Sequence, residues 1–497
     1  MVRDELRPSL SPAGRDCPER GSAPKSLAIA AAVLAVGSLT VVPAPALAAP
    51  ALSEQEVQQL RAELQAVKAE SDAAKAQEAE RERRIDDLER RLDIATGVPP
   101  PAPETATEQV EQIPAADAET PRARKGGFEV YGFAQADYIQ DFNRVNPDWD
   151  ATLRPSRIPT TPGQFGSDGQ SIISVRQTRF GVQADQEIGG RDLFVKFEFD
   201  LFGTGVDAGQ TTLRLRHAYG SWGPFLFGQT NSVFMDPDIF PNVIDYWGPT
   251  GMVFIRTPQI RYTYKTGPHE IAVALEHVTN DVDPGNLREI DPTLGAVQGD
   301  EKMPDFTAHY RYTGGWGHVQ VAGILRRVGF DTPGVTNNEP KGAELGWGVN
   351  LTSNIKPTSN DVIHLGFVYG HGIASYMNDG GVDLAAGGVA SNISTVHAET
   401  EPLWGVTAYL DHKWTKSLAS SIGYSRTEVD NSTLQAPTAY RSGQYASVNL
   451  LWTPDKHLLF GGELLWGQRE DKDGATGDDT RIQFSAHYSF SSKDFFQ

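Results

Sequence analysis

The sequence predicts an all-β transmembrane barrel of about 16 antiparallel strands, preceded by an N-terminal α-helical coiled coil. Three observations predict it. Residues 127–497 alternate apolar and polar side chains over long segments. The turns joining those segments alternate between short and long. An export signal stands near the start of the chain.

Composition sets the outer limits. The 497 residues carry 44 Lys+Arg against 64 Asp+Glu, a formal net charge of −20. Mean hydropathy is −0.38. A polytopic helical membrane protein would need several apolar runs of about 20 residues, which are absent from the sequence. A barrel shows no such runs, because its apolar residues are hidden at alternate positions. The acidic balance argues against a nucleic-acid partner, which calls for a basic footprint. The single cysteine, Cys17, excludes a disulfide framework and a Cys-based metal site.

Residues 1–48 read as a signal peptide. Lys25 precedes the apolar run Leu27–Val42, and Ala46-Leu47-Ala48 supplies small residues for cleavage. The run is shorter than the ~20 residues of a spanning helix. Residues 52–96 read as a coiled coil. Val57, Leu64, Ser71, Glu78, Ile85 and Leu92 fall at a positions. Leu60, Val67, Ala74, Arg81, Leu88 and Ala95 fall at d. The seam is apolar at both ends and weak in the middle, so it needs association elsewhere in the molecule to raise its local concentration. Residues 97–126, rich in Pro, Ala and Glu, read as a semi-rigid spacer.

The barrel strands follow. Leu193, Val195, Phe197, Phe199 and Leu201 oppose Lys196, Glu198 and Asp200. Leu213, Leu215 and Tyr219 oppose Arg214 and Arg216, which puts His217 on the apolar parity. Leu345, Trp347, Val349 and Leu351 oppose Glu344 and Asn350. Trp404, Val406, Ala408 and Leu410 oppose Thr407, Tyr409 and Asp411. Aromatic pairs recur at strand ends: Tyr219 and Trp222, Tyr312 and Trp316, Trp404 and Trp414, Trp452 and Trp466. Interfacial girdles need such residues. Short turns fall at Glu187–Arg191, Thr266–His269, Thr313–Gly315, Lys356–Asn360 and Thr453–Lys456. Long loops fall at Asn280–Met303, Gly329–Lys341, Gly372–Glu401 and Asp471–Thr480. The last strand ends on Phe484-x-Ala486-x-Tyr488-x-Phe490, with Phe496 as a second candidate for the C-terminal assembly signal.

Six arginines fall on the polar parity or close to it: Arg179, Arg214, Arg216, Arg261, Arg311 and Arg326. Arg176 falls on the opposite parity from Arg179. A guanidinium keeps its charge and binds carboxylates in a fork, so a ring of arginines suits an anion pore. The alternative is that they brace the wall by pairing with Asp137, Glu198, Asp200 and Glu276. Asn231–Thr257 is the candidate constriction loop, with Asp236, Asp238 and Asp245 as its acidic groups and Pro237, Pro241 and Pro249 as stiffeners. Phe234, Ile239, Phe240, Val243 and Ile244 are too apolar for a solvated tip. Packing on the wall or latching a neighbouring subunit would hide them. The net charge does not oppose an anion pore, since the local lumen charge sets the field.

Several segments bear a resemblance to a known family. They are Tyr138–Trp149 (YIQDFNRVNPDW), Ser174–Phe180 (SVRQTRF), Lys196–Gly203 (KFEFDLFG), Leu215–Trp222 (LRHAYGSW), Gly228–Asp236 (GQTNSVFMD), Tyr246–Gly251 (YWGPTG) and Pro258–Tyr262 (PQIRY). They resemble the DcaP-like outer-membrane porin family. That resemblance implies a homotrimeric channel with an N-terminal coiled coil, associated with dicarboxylates and other small anions. It places the barrel in the bacterial outer membrane, against lipid and lipopolysaccharide, with the coiled coil in the periplasm. The expected partners are small anionic solutes and sister subunits, with no nucleic acid and no cofactor.

Two other functions compete. The barrel could be an anchor whose coiled coil tethers the envelope. It could also be a lipid-facing hydrolase, which needs a Ser–His pair on the apolar parity; His217 and His412 fall there. The scattered His277, His309, His364 and His371 suggest no metal site.

Overall fold

The structure is a computed structural model that describes residues 127–203, 212–290, 296–389 and 391–495. The signal-peptide, coiled-coil and linker segments lie outside the described residues, as does Phe496.

Twenty-one strands lie among the described residues. The wall begins with β1 (Phe128–Asp141), and a short β2 (Gln170–Ser174) follows. Next come β3 (Arg179–Ile188), β4 (Arg191–Asp200), β5 (Arg214–Trp222), β6 (Phe225–Asn231), β7 (Arg256–Thr266) and β8 (His269–Glu276). Two-residue β9 (Val282–Asp283) and β10 (Gln298–Gly299) belong to a loop. The wall resumes with β11 (Asp305–Gly314), β12 (Gly317–Asp331), β13 (Gly342–Ile355) and β14 (Asp361–His371). A hairpin of β15 (Leu384–Val389) and β16 (Asn392–Thr400) intervenes. Then β17 (Pro402–Lys413), β18 (Leu418–Val429), β19 (Tyr440–Asp455), β20 (Leu458–Asp471) and β21 (Thr476–Ser491) complete it.

Sixteen of these strands form one antiparallel wall, with β2 and β10 as short additions and β9, β15 and β16 as a separate sheet. β1 pairs with β21 from Tyr131↔Ser491 to Asp141↔Arg481, which closes the barrel. On its other side β1 pairs with β3 near its start and with β2 near its end. Closure satisfies every edge, as a structure spanning lipid requires.

The burial pattern is inverted relative to a soluble sandwich. On β13, Leu345, Trp347, Val349 and Leu351 are exposed, whereas Asn350, Thr352 and Asn354 are buried. The same inversion holds on β21, where Phe484 and Tyr488 are exposed and Asp479, Arg481, Gln483 and Ser485 are buried. Trp222, Tyr264, Tyr310, Trp316, Trp414, Trp452 and Tyr488 are exposed near the short turns. Tyr138, Trp347, Tyr369 and Tyr424 are exposed toward the opposite end of their strands. These are the two aromatic girdles of a barrel in a bilayer.

One strand departs from simple alternation. Glu198 pairs with His217, but Phe199 pairs with Leu215, so Arg216 is the extra residue of a β-bulge. The bulge corrects the parity of this strand. Arg214 and Arg216 face inward, and so do His217 and Tyr219 beyond them. His217 is buried with its Nδ1 3.0 Å from Thr230 Oγ1, so it is not a lipid-facing group.

Eight connections, seven of them longer than the turns at the other end, lie at one end of the barrel. They are L1 (142–178), L2 (201–213), L3 (232–255), L4 (277–304), L5 (332–341), L6 (372–401), L7 (430–439) and L8 (472–475). Asp471–Thr480 is not a long loop. β21 starts at Thr476, and L8 is a tight turn in which Asp471 N bonds Ala475 O at 2.8 Å. Thr476–Thr480 (TGDDT) is polar on both faces, which hides the strand from a search for alternation. L6 is not irregular throughout either, since it contains the β15–β16 hairpin. By the usual asymmetry of such barrels, this end faces outward and the short turns face the periplasm.

Candidate functional site

L3 follows the fifth wall strand, β6, and folds into the barrel rather than over its rim. Phe234, Met235, Ile239, Phe240, Ile244 and Met252 are all buried. The wall holds its backbone through side chains of many strands. Glu276 Oε1 accepts from Val233 N at 2.7 Å. Asn350 Nδ2 donates to Phe234 O and Gln320 Nε2 to Met235 O. Glu463 Oε2 accepts from Ile244 N at 2.7 Å, and Asn449 Nδ2 donates to Asn242 O at 2.7 Å. Gln177 and Gln483 both donate to Ile244 O. Ser425 Oγ accepts from Gly251 N at 2.7 Å. A polar wall is what lets a loop with free backbone groups cross a barrel interior without leaving them unsatisfied.

The six predicted arginines all project from the inner side of the wall. Most of them meet carboxylates there. Arg214 grips Asp200 in a fork, Nε–Oδ1 3.1 Å and Nη2–Oδ2 2.7 Å. Arg216 bridges Glu198 at 2.9 Å and Asp200 at 3.0 Å, and also donates to Tyr246 Oη of L3. Arg179 lies 3.6 Å from Glu198. Arg311 pairs with Asp236 and Asp238 of L3. Arg326 is fully buried between Asp305 at 3.2 Å and Asp383 at 3.1 Å, with Asn280 Oδ1 accepting at 2.7 Å. Arg261 meets neutral acceptors, Gln259 Oε1 at 2.8 Å and the Asn231 carbonyl. Arg176 sits outside the strands, donating to the carbonyls of Asp148 and Gly203 and covering the Phe202 ring. Of the carboxylates expected to brace arginines, Glu198 and Asp200 do so. Asp137 and Glu276 are held by neutral donors instead.

The three acidic groups of L3 differ. Asp236 accepts from Arg311, Thr352 and Asp238 N and sits 2.7 Å from His318 Nε2. Burial opposes its charge, but His318 and Arg311 outweigh burial and hold its carboxyl below the usual range. Asp238 is exposed beside Arg311. Asp245 is buried and accepts from Thr152 Oγ1, Leu153 N, Gly248 N and Tyr445 Oη. Burial raises its pKa.

L1 and L6 also fold inward, and they meet L3 at one junction. Trp149 of L1 and Trp247 of L3 pack edge to face with centroids 4.8 Å apart. The Arg154 guanidinium lies over both rings, at 4.3 and 4.0 Å, and binds Asp379 of L6 at 2.9 Å. Asn378 of L6 accepts from Trp247 Nε1 and donates to the carbonyls of Trp247 and Pro249. The aromatic and cation–π contacts fix all three loops together.

A family model described as the DcaP outer membrane protein matches residues 64–490. The chain belongs to the DcaP outer membrane protein family. Among solved structures, the chain is similar to the outer membrane channel DcaP of Acinetobacter baumannii, with a TM-score of 0.62 and 23% identity. That match covers 74% of this chain and 98% of the other. OmpT of Vibrio cholerae, in its loop L8 deletion mutant, matches at TM-score 0.45 and 12% identity, over 74% of this chain and all (100%) of the other. An anion-selective porin from Comamonas acidovorans matches at TM-score 0.48 and 8% identity, over 74% of this chain and 100% of the other. No curated protein matches. Family and fold together make this chain an outer-membrane porin.

Two other clusters of titratable groups stand out among the described residues of this DcaP-family barrel. Ligand atoms of Asp236, Asp238 and His318 lie within 4.8 Å of one another. Arg311 already supplies the positive charge between the two carboxylates. On the outer surface, His412 Nδ1 lies 2.6 Å from Asp361 Oδ1, and Ser420 is its cross-strand neighbour. The Ser420 hydroxyl takes a hydrogen bond from Trp414 Nε1 at 3.0 Å.

Strand alternation carries no sign of the L1–L3–L6 junction. Arg154 and Arg157 stand in the off-strand sequence LRPSRIP. A signal was present in the apolar residues around them: Val145, Leu153 and Ile158 are buried together with Tyr409, Tyr445 and Leu465 of the wall.

Proposed function

We propose that this porin is a passive diffusion channel for small hydrophilic solutes that prefers anions of the dicarboxylate type. It acts as a homotrimer, as the family resemblance implies, with its apolar outer band against lipid and lipopolysaccharide. One observation carries the anion preference: arginines project inward around the barrel, from β3, β5, β7, β11 and β12, toward an inward-folded loop. Rings of guanidinium groups in a confined, low-dielectric passage favour anions over cations.

Planar-bilayer recording of the purified protein in a KCl gradient tests both levels of the proposal. Discrete conductance steps and a reversal potential of the chloride sign are expected. An absence of steps would overturn the channel reading. A potassium-signed potential would overturn only the preference.

A further inference from the structure

The anion preference proposed above needs a positive charge that no carboxylate cancels. The predicted arginines supply part of it, since Arg179, Arg214 and Arg216, with Lys196, share the two carboxylates Glu198 and Asp200, and the rest of their charge is offset. Arg214 and Arg216 face Asp200 and Glu198, Arg311 faces Asp236 and Asp238, and Arg326 faces Asp305 and Asp383. An arginine held by one or two carboxylates contributes a local dipole rather than a net charge, and its field falls off quickly.

Arg157 differs. It ends the short helical turn Pro155–Arg157 in L1, and it is exposed to water. Its backbone is fixed, since its carbonyl accepts from Asn146 N at 3.1 Å and its own N–H donates to Arg154 O at 2.9 Å. The turn rests on the inner face of β19 and β20. Pro155 packs where a side chain on Gly443 would stand, and Ile158 packs against Gly467. Two other guanidinium groups flank it. Arg154 is held by Asp379 and the tryptophan pair. Arg469 donates to the carbonyl of Ser156, the residue before Arg157, at 2.8 Å, and pairs with Asp471 at 2.6 Å. The carboxylates within electrostatic reach of Arg157 include Asp379, Asp148 and Asp281 of L4, and Asp281 forms no ion pair with it. Asp379 is occupied by Arg154 and by Ser156, through both N and Oγ. Asp148 forms no ion pair with Arg157. Among the described residues, the Arg157 side chain has neither a hydrogen bond nor an ion pair.

We propose that Arg157, backed by Arg154 and Arg469, is the capture site for the carboxylate of an incoming anion at the outer mouth. The fork of an unpaired guanidinium accepts a carboxylate in two hydrogen bonds. Its neighbours are already immobilised, so binding has to order only the Arg157 side chain itself.

The proposal rests on the anion reading above, and the test separates the two. Arg157→Gln, Arg157→Lys and the wild type are compared in planar bilayers, by reversal potential in a KCl gradient and by block of chloride current by succinate. Because the side chain holds no partner, Arg157→Gln should fold and shift on heating in detergent gels like the wild type. Its anion-to-cation permeability ratio should fall by about twofold or more, and succinate block should weaken by about tenfold, as expected for loss of one charge-assisted fork. Arg157→Lys should keep most of the permeability ratio but lose much of the block, since a point charge does not reproduce the fork. An anion-selective wild type with an unchanged Arg157→Gln variant overturns the capture site alone. A cation-selective wild type overturns both.

Discussion

Replacing Arg326 by alanine should be the most damaging single change in the barrel wall. Arg326 is fully buried and touches five groups from three regions: Asp305 of β11, Asp383, Ser375 and the Gly372 carbonyl of L6, and Asn280 of L4. Truncation leaves two buried carboxylates without a cation. Breaking a buried ion pair from one side costs about 3–5 kcal/mol, more than deleting the pair altogether. The loss should appear as a lower temperature for the folded-to-unfolded shift in detergent gels, with earlier protease cleavage in L6. Arg326→Met paired with Asp383→Asn and Asp305→Asn should recover much of the shift temperature. An Arg326→Ala barrel as heat-resistant as the wild type would show that L6 is held by other contacts.

Replacing Gly251 by valine should act on conductance rather than on the wall. L3 lies directly against wall backbone here. A Cβ at residue 251 would stand 2.2 Å from Arg426 O and 2.5 Å from Val406 O. Neither carbonyl can move, since both belong to paired strands β17 and β18. The loop must therefore retreat into the lumen, breaking the bond from Gly251 N to Ser425 Oγ. Overpacking of this kind costs about 1–3 kcal/mol. Local relief by moving a loop is cheaper than distorting a closed barrel. Single-channel conductance should fall by roughly half or more while the barrel still assembles, since the displaced segment moves into the barrel interior. A conductance equal to that of the wild type would mean that L3 does not bound the permeation route.

The alternation along single strands was enough to place most wall side chains. Val349 and Asn350 divide outward and inward as their polarity demands, and so do Phe484 and Gln483. It failed where the wall itself breaks period two. The Arg216–His217 bulge adds a residue that polarity cannot reveal, because arginine, histidine and tyrosine are all tolerated inside. It failed again at Thr476–Thr480, where both faces are polar. The inward course of L3 was legible, because Phe234, Ile239, Phe240 and Ile244 are apolar residues with no strand to carry them. The partners of the arginines were legible only in part. Arg214 meets Asp200 across one β-ladder, which register can suggest. Arg326 meets Asp383 through a loop folded back from far along the chain, and no local pattern encodes that meeting.

Fluorescence quenching at paired positions on β7 tests the central claim most directly. The chain has one cysteine, Cys17, so a Cys17→Ser background is clean. A small fluorophore is attached to Ile260→Cys, an exposed outward position, and in a second protein to Thr263→Cys, a half-buried position of inward parity. In bilayers containing brominated lipid, residue 260 should be quenched by lipid and shielded from aqueous acrylamide, and residue 263 should show the reverse. Equal quenching of both positions by acrylamide, or lipid quenching of residue 263, would contradict a barrel with its apolar face outward and its polar face on water.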